Sequence, residues 1–202
     1  PVAHSFPTRR SSDLAALRSP DRVAFTDVED QITYQDLLAQ AKSVGSQIAE
    51  HLENGIRQPV FVAAHRRIST IIAFMGVVYS GNFYVPIDPD IPEGRKRLVF
   101  QRVEPALVLL RNSNDRFLES STYEGRSILL EDSIHHPIDE RRLGQARQQL
   151  VDVDPLFAIF TSGSTGVPKC VLISHRSVMT FIKNFGELFE LSSEMVLGNQ
   201  AP

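Results

Sequence analysis

One stretch, Phe157–His175, constrains this chain more than any other; it reads FAIFTSGSTGVPKCVLISH. An apolar run, Phe157-Ala158-Ile159-Phe160, enters a polar glycine loop, and a second β-prone run, Val171-Leu172-Ile173, leaves it. The pattern predicts strand, loop, strand. Gly163 and Gly166 remove the Cβ atoms that would keep a ligand off the backbone, the hydroxyls of Thr161, Ser162, Ser164 and Thr165 add donors, and the loop N–H groups are not committed to a ladder. Such a loop suits an oxyanion, above all phosphate, and Lys169 supplies a positive charge at its far end. The competing reading is an ordinary soluble hairpin connection, since the same residue types populate turns for conformational reasons. The P-loop of nucleoside triphosphatases fails on spacing: the two glycines are too close, and Lys169 lies between Pro168 and Cys170 rather than between glycine and a hydroxyl residue. A serine nucleophile is also disfavoured, because no Gly-x-Ser-x-Gly elbow is present.

The string FTSGSTGVPK, with Ser174-His175 downstream, resembles the phosphate-binding signature of the adenylate-forming (AMP-binding) superfamily, which includes adenylation domains of nonribosomal peptide synthetases, D-alanine-activating ligases, acyl-CoA synthetases and luciferases. One position departs: the family has glycine after the lysine, and this chain has Cys170. A second segment, Gly81-Asn82-Phe83-Tyr84-Val85-Pro86-Ile87-Asp88-Pro89, is similar to the family's Gly-x-x-Tyr-Val-Pro-(Ile/Leu)-Asp and closest to amino-acid-activating members, although Tyr79-Ser80 stands where those have Lys-Ala. ITYQDLL, from Ile32, is similar to the family's Thr-Tyr-x-Glu-Leu.

The resemblance implies the α/β, parallel-sheet βαβ layers of the large N-terminal domain of an adenylate-forming enzyme, incomplete. It also implies chemistry in two steps: a carboxylate and ATP give acyl-AMP and pyrophosphate, and a phosphopantetheine thiol of a carrier protein then takes the acyl group. The expected cofactors are ATP and Mg2+, and the expected substrate is a small carboxylic acid, an amino acid first. Thr161, Ser162, Gly163, Ser164, Thr165, Gly166 and Lys169 are the expected phosphate-binding residues. His175 is the candidate catalytic residue, expected to face the loop; the alternative for it is capping or packing at a helix start. Fatty-acyl or aryl acid CoA ligation within the same superfamily, and a non-catalytic ATP- or carrier-binding fragment, are the alternatives. On this reading the chain stops before the substrate pocket and the C-terminal lobe, and the isolated fragment is inactive.

The remaining sequence is organised around this stretch. Residues 1–14 are set aside, because Ser5–Leu14, SFPTRRSSDL, resembles a translated sequencing adapter; the reading is a non-native scar or flexible tail, with native sequence from Ala15. Val23–Thr26 and Gln31–Thr33 flank an acidic turn and read as a hairpin. Thr33 with Asp36 makes a helix-start signature, and Leu37, Leu38, Ala41, Val44 and Ile48 recur at helical spacing to about Glu50. The apolar run Pro59–Ala63 predicts a strand buried on both faces. Ile68–Tyr79 predicts a helix ended at Ser80-Gly81. Gly81–Pro89 is kept extended by its prolines.

Pro92–Arg102 reads as a helix with a solvated basic face of Arg95, Lys96 and Arg97, and Ala106–Leu110 as a further strand. Strands alternating with helices imply parallel pairing. Beyond Arg111 the signal thins to a short strand near Ser127–Leu130 and a charged helix over Asp139–Gln149. Asp88 reads as a turn residue, and His135-His136 as surface histidines lacking further ligands at metal-binding spacing. Ser174 is a candidate cap for a helix from His175 onward.

A net charge of -3 with no basic run gives no reason to expect nucleic acid as partner. No apolar run approaches the roughly 18 residues of a membrane span, so no membrane is expected. A single cysteine fits a reducing, cytoplasmic compartment.

Overall fold

The run Pro59-Val60-Phe61-Val62-Ala63 has no polar side to offer solvent, and in the computed structural model of the chain it forms a strand with a neighbour on each side and cover on both faces. The structure describes residues 7–118, 123–161, 168–192 and 194–198. Its helices are α1 (Pro7–Arg18), α2 (Tyr34–His51), α3 (Ile68–Tyr79), α4 (Glu93–Arg102), α5 (Leu130–Ser133), α6 (Glu140–Gln149) and α7 (His175–Leu188). Its strands are β1 (Val23–Thr26), β2 (Gln31–Thr33), β3 (Pro59–Ala63), β4 (Phe83–Ile87), β5 (Leu107–Leu110), β6 (Ser127–Leu129), β7 (Pro155–Thr161) and β8 (Lys169–Ser174).

The first two strands form a separate antiparallel hairpin. The other six make one sheet in the order β6-β5-β3-β4-β7-β8, parallel throughout except for the β7–β8 pair. The expected α/β layers with a parallel sheet are therefore present. β5 returns to the opposite side of β3 from β4, so the α3 and α4 crossovers lie on opposite faces, as right-handed connections require.

Side-chain alternation divides the core. Val60, Val62, Leu107, Leu109 and Ile128 face α2 and α3, whereas Phe61, Ala63, Val85, Val108 and Leu110 face Val99 of α4 and Phe117. The two helices on the first face approach through reciprocal glycines. A Cβ on Gly76 would lie 2.4 Å from a Val44 methyl, and one on Gly45 would lie 2.8 Å from the Tyr79 Cβ. Gly81 stands just past the end of α3 with φ +87°, a left-handed conformation glycine adopts without cost.

One local expectation needs correction. Lys96 is not part of a solvated face; its side chain is 6% exposed, because α4 turns it onto the Phe117 segment, where Nζ donates to the Phe117 carbonyl at 2.8 Å and pairs with Glu93 at 3.2 Å. The ammonium also stands 5.1 Å from the centre of the Phe117 ring. The N-terminal stretch is helical from Pro7, and α1 runs through the Leu14–Ala15 boundary. Asp13 on that helix accepts a 2.6 Å bond from the Tyr79 hydroxyl.

The acidic turn between β1 and β2 has a defined task. The Asp27 carboxylate accepts the Ile68 N–H at the start of α3 at 2.8 Å, and also the Glu29 and Asp30 N–H groups at 2.8 and 3.0 Å. These bonds, led by that from Ile68, hold Asp27 below the usual carboxylate range.

Replacing Lys96 with alanine strands the Phe117 carbonyl and should cost about 3 kcal/mol in urea unfolding, whereas Arg95→Ala and Arg97→Ala should each change stability by less than about 0.5 kcal/mol. Because the folded-state pKa of Asp27 is lowered, its contribution is fully present above the usual carboxylate value and is lost as pH falls below that value through the folded-state pKa. Thermal midpoints of the unmutated chain should therefore drop below about pH 4 more steeply than those of Asp27→Asn.

Candidate functional site

The carboxyl ends of β3, β4, β5 and β7 lie along one edge of the sheet, the edge at which open α/β folds bind ligands. Thr161 ends β7 on that edge and Lys169 begins β8. The antiparallel register places the two opposite each other, followed by Phe160 opposite Cys170, Ile159 opposite Val171, Ala158 opposite Leu172 and Phe157 opposite Ile173. The predicted strand, loop and strand are therefore a hairpin whose closing pair is Thr161 and Lys169, both exposed. Of the other expected phosphate ligands, Ser162, Gly163, Ser164, Thr165 and Gly166 lie outside the described residues.

Alternation sets the character of each face. Phe160, Ala158 and Cys170 turn toward the core cluster around Phe61 and Val85, which leaves Thr161 and Lys169 on the opposite, open face. Cys170, the departure from the signature, does not hold the strands apart, because it pairs directly with Phe160 within the stretch that stays in register from Phe157 to Thr161. Burial pushes its thiol pKa up, with Arg102 opposing.

His175 is not brought to this edge. It follows β8 at the other end of the strand, about 20 Å from Lys169 at ~3.4 Å per residue, and is 2% exposed. Ser174 caps α7 as expected, its hydroxyl accepting the Ser177 N–H at 3.2 Å.

Two aspartates before β7 bind the start of α7. The Asp154 carbonyl accepts the His175 N–H at 3.1 Å, and the Asp152 carbonyl accepts the Arg176 N–H at 2.7 Å. Arg176 also grips the Asp152 carboxylate with two bonds of 2.7 and 2.8 Å, which hold that acid below its usual range. The Asp154 carboxylate accepts from Arg57 Nε at 2.8 Å and from the Val151 N–H at 2.7 Å. Sequence reasoning missed this network. Nothing local marks Arg57, 97 positions away, as the partner of Asp154.

The other polar candidates are accounted for nearby. Asp88 accepts the Asp90 N–H at 2.9 Å within a turn, and His136 pairs with Glu50 at 3.2 Å. Among the described residues no group of three or more His, Cys, Asp or Glu side chains could hold a metal ion, and no helix is long and apolar enough to cross a membrane.

Comparison with known proteins settles the family. The model for AMP-binding enzymes matches residues 13–201. The chain belongs to the AMP-binding enzyme family.

Among curated relatives, the D-alanine–D-alanyl carrier protein ligase of Staphylococcus aureus is 32% identical over 186 residues, covering 91% of this chain and 35% of the relative. The chain thus spans about a third of the length of the curated relatives it matches. Among solved structures, VinN in complex with 3-methylaspartate superposes with a TM-score of 0.77 at 18% identity, over 94% of this chain and 53% of the other. A fatty acid AMP ligase from Legionella pneumophila superposes with a TM-score of 0.72 at 25% identity, over 92% and 33%. These superpositions show the shared fold.

Because Cys170 packs on the core face of β8, Cys170→Gly should lower stability by about 1–2 kcal/mol through lost packing and a weakened strand. Urea midpoints of the two proteins measure the difference.

Proposed function

We propose that this chain is the phosphate-binding N-terminal portion of an ATP-dependent amino-acid-adenylating enzyme. The observation that carries the reading is the Thr161–Lys169 pair, which closes the glycine-rich hairpin loop at the carboxyl edge of a parallel sheet. In the proposed reaction a substrate carboxylate oxygen attacks the α-phosphorus of ATP. The bond to the bridging oxygen of pyrophosphate breaks, and the acyl-adenylate passes its acyl group to the phosphopantetheine thiol of a carrier protein, forming a thioester and releasing AMP.

The residues of this chain bind and orient. Thr161 and the hydroxyls and N–H groups of Ser162–Gly166 would cradle the phosphates, and Lys169 would offset charge on the departing pyrophosphate. Mg2+ carried on the phosphate oxygens would supply further charge compensation. A cation at the mouth of a loop built from small hydroxyl residues fits a polyphosphate. His175, buried beyond the far end of β8, enters as a packing residue of α7 and not as a group in contact with the phosphates.

The match over 13–201 supports reading residues 15–202 as the first part of an adenylation domain. The D-alanine-activating relative and the Tyr84-Val85-Pro86-Ile87-Asp88-Pro89 segment favour an amino acid as substrate. The fatty acid AMP ligase, which superposes with a TM-score of 0.72, keeps a fatty or aryl acid as the second reading. The single cysteine, Cys170, fits a cytoplasmic protein.

Substrate-dependent ATP–pyrophosphate exchange by the full-length enzyme is the test. One or a few amino acids should stimulate exchange, and Lys169→Ala should reduce it about 100-fold or more. The 202-residue chain alone should be silent. Stimulation only by fatty or aryl acids would move the protein to the second reading, and silence of the full-length enzyme with every acid would overturn the adenylation reading.

A further inference from the structure

The β7–β8 ladder contains one irregularity, and it lies far from the loop. Pro155 stands opposite Ser174 and Phe157 opposite Ile173, so Leu156 is an extra residue on β7, a β-bulge. Without it the register would slip by one position. Thr161 would then face Pro168, which has no N–H to give the ladder, and Lys169 would face Phe160 on the core side. An ammonium would be driven toward the apolar cluster now occupied by Cys170. The bulge therefore decides that Lys169 projects from the open face and that Cys170 packs inward.

Asp154, immediately before the bulged strand, ties together the two ends that must stay in step. Its carbonyl takes the first N–H of α7, directly after β8, and its carboxylate binds Arg57 Nε and the Val151 N–H. Arg57 is itself fixed to the sheet edge, donating from Nη2 to the Gln149 carbonyl at 2.6 Å and from its N–H to the Gly81 carbonyl at 2.9 Å. It holds a left-handed backbone with φ 59°, a strained state for a side-chain-bearing residue that these bonds sustain.

We propose that the Arg57–Asp154 pair is a positioning clamp for the phosphate loop, holding the Leu156 bulge and so the register that sets Thr161 against Lys169. The assignment of a ligand to that loop rests on the adenylation reading; the clamp itself is tested without it. Cys170 is the sole cysteine of the chain and reports the register, because a slipped hairpin turns it to the open face.

In the 202-residue chain, Asp154→Asn and Arg57→Gln should let a thiol reagent label Cys170 at least about tenfold faster, the change produced by about 1.4 kcal/mol in a local equilibrium. Arg57→Lys should restore most of the protection. Asp152→Asn, which breaks the neighbouring Arg176 pair without touching the bulge, should leave labelling unchanged. In the full-length enzyme the first two variants should raise the KM for ATP and spare that for the carboxylate. Unchanged labelling in folded Asp154→Asn and Arg57→Gln overturns the clamp, as does a rise of equal size in Asp152→Asn. Global unfolding of both variants would make the pair a determinant of stability instead of register and would likewise overturn it. Faster labelling with an unchanged KM for ATP would uphold the clamp and count against the assignment of ATP to the loop.

Discussion

Burial of β3 on both faces sets the terms for everything else in this chain. Val60, Phe61 and Val62 are almost fully enclosed, each side chain contributing roughly 1.5–3 kcal/mol of transfer free energy. A strand with no wettable side needs helices above and below and strands to left and right. The α3 crossover to β4 covers one face and the return through α4 to β5 covers the other. With these connections made, the carboxyl ends of the strands align on one edge, and β7 joins the same edge beside β4. The glycine hairpin is presented there because its incoming strand is held by the sheet.

Polar groups occupy places where this apolar frame leaves backbone groups to be satisfied. Asp27 supplies the acceptor that the start of α3 lacks, since Arg67 at the cap position makes no side-chain bond to the helix N–H groups. Lys96 bridges α4 to the Phe117 carbonyl, and the ring of Phe117 shields the ammonium. Arg57 and Asp154 act at the opposite edge from the loop, where the start of β7 meets the end of β8. Each is a charged side chain used as a brace between segments, and each contributes through hydrogen-bond geometry more than through charge alone.

Much of this was legible because the signals were local. Thr33 and Asp36 begin α2, and Ser80-Gly81 ends α3, because caps and left-handed turns depend on residues a few positions apart. The hairpin flanking residues 162–168 followed from two β-prone runs around glycines. Lys96 was misread because a run of three basic residues looks solvated until it is known that the middle one faces Phe117, 21 positions away. The orientation of His175 was equally opaque. A histidine next to a ligand signature invites a functional role, but β8 runs away from the loop and carries His175 to the other end of the sheet.

The amino-acid order alone specified the layer architecture and the strand–loop–strand pattern, because period, turn residues and apolar runs act over a few neighbours. It also placed a hydroxyl and a cation at the two mouths of the loop. The register that sets Thr161 opposite Lys169 was decided only in three dimensions. It depends on a bulge at Leu156 and on a bond between Arg57 and Asp154, 97 positions apart. Such a contact carries no local signature, since neither residue has a conformational reason to be paired until the sheet brings them together.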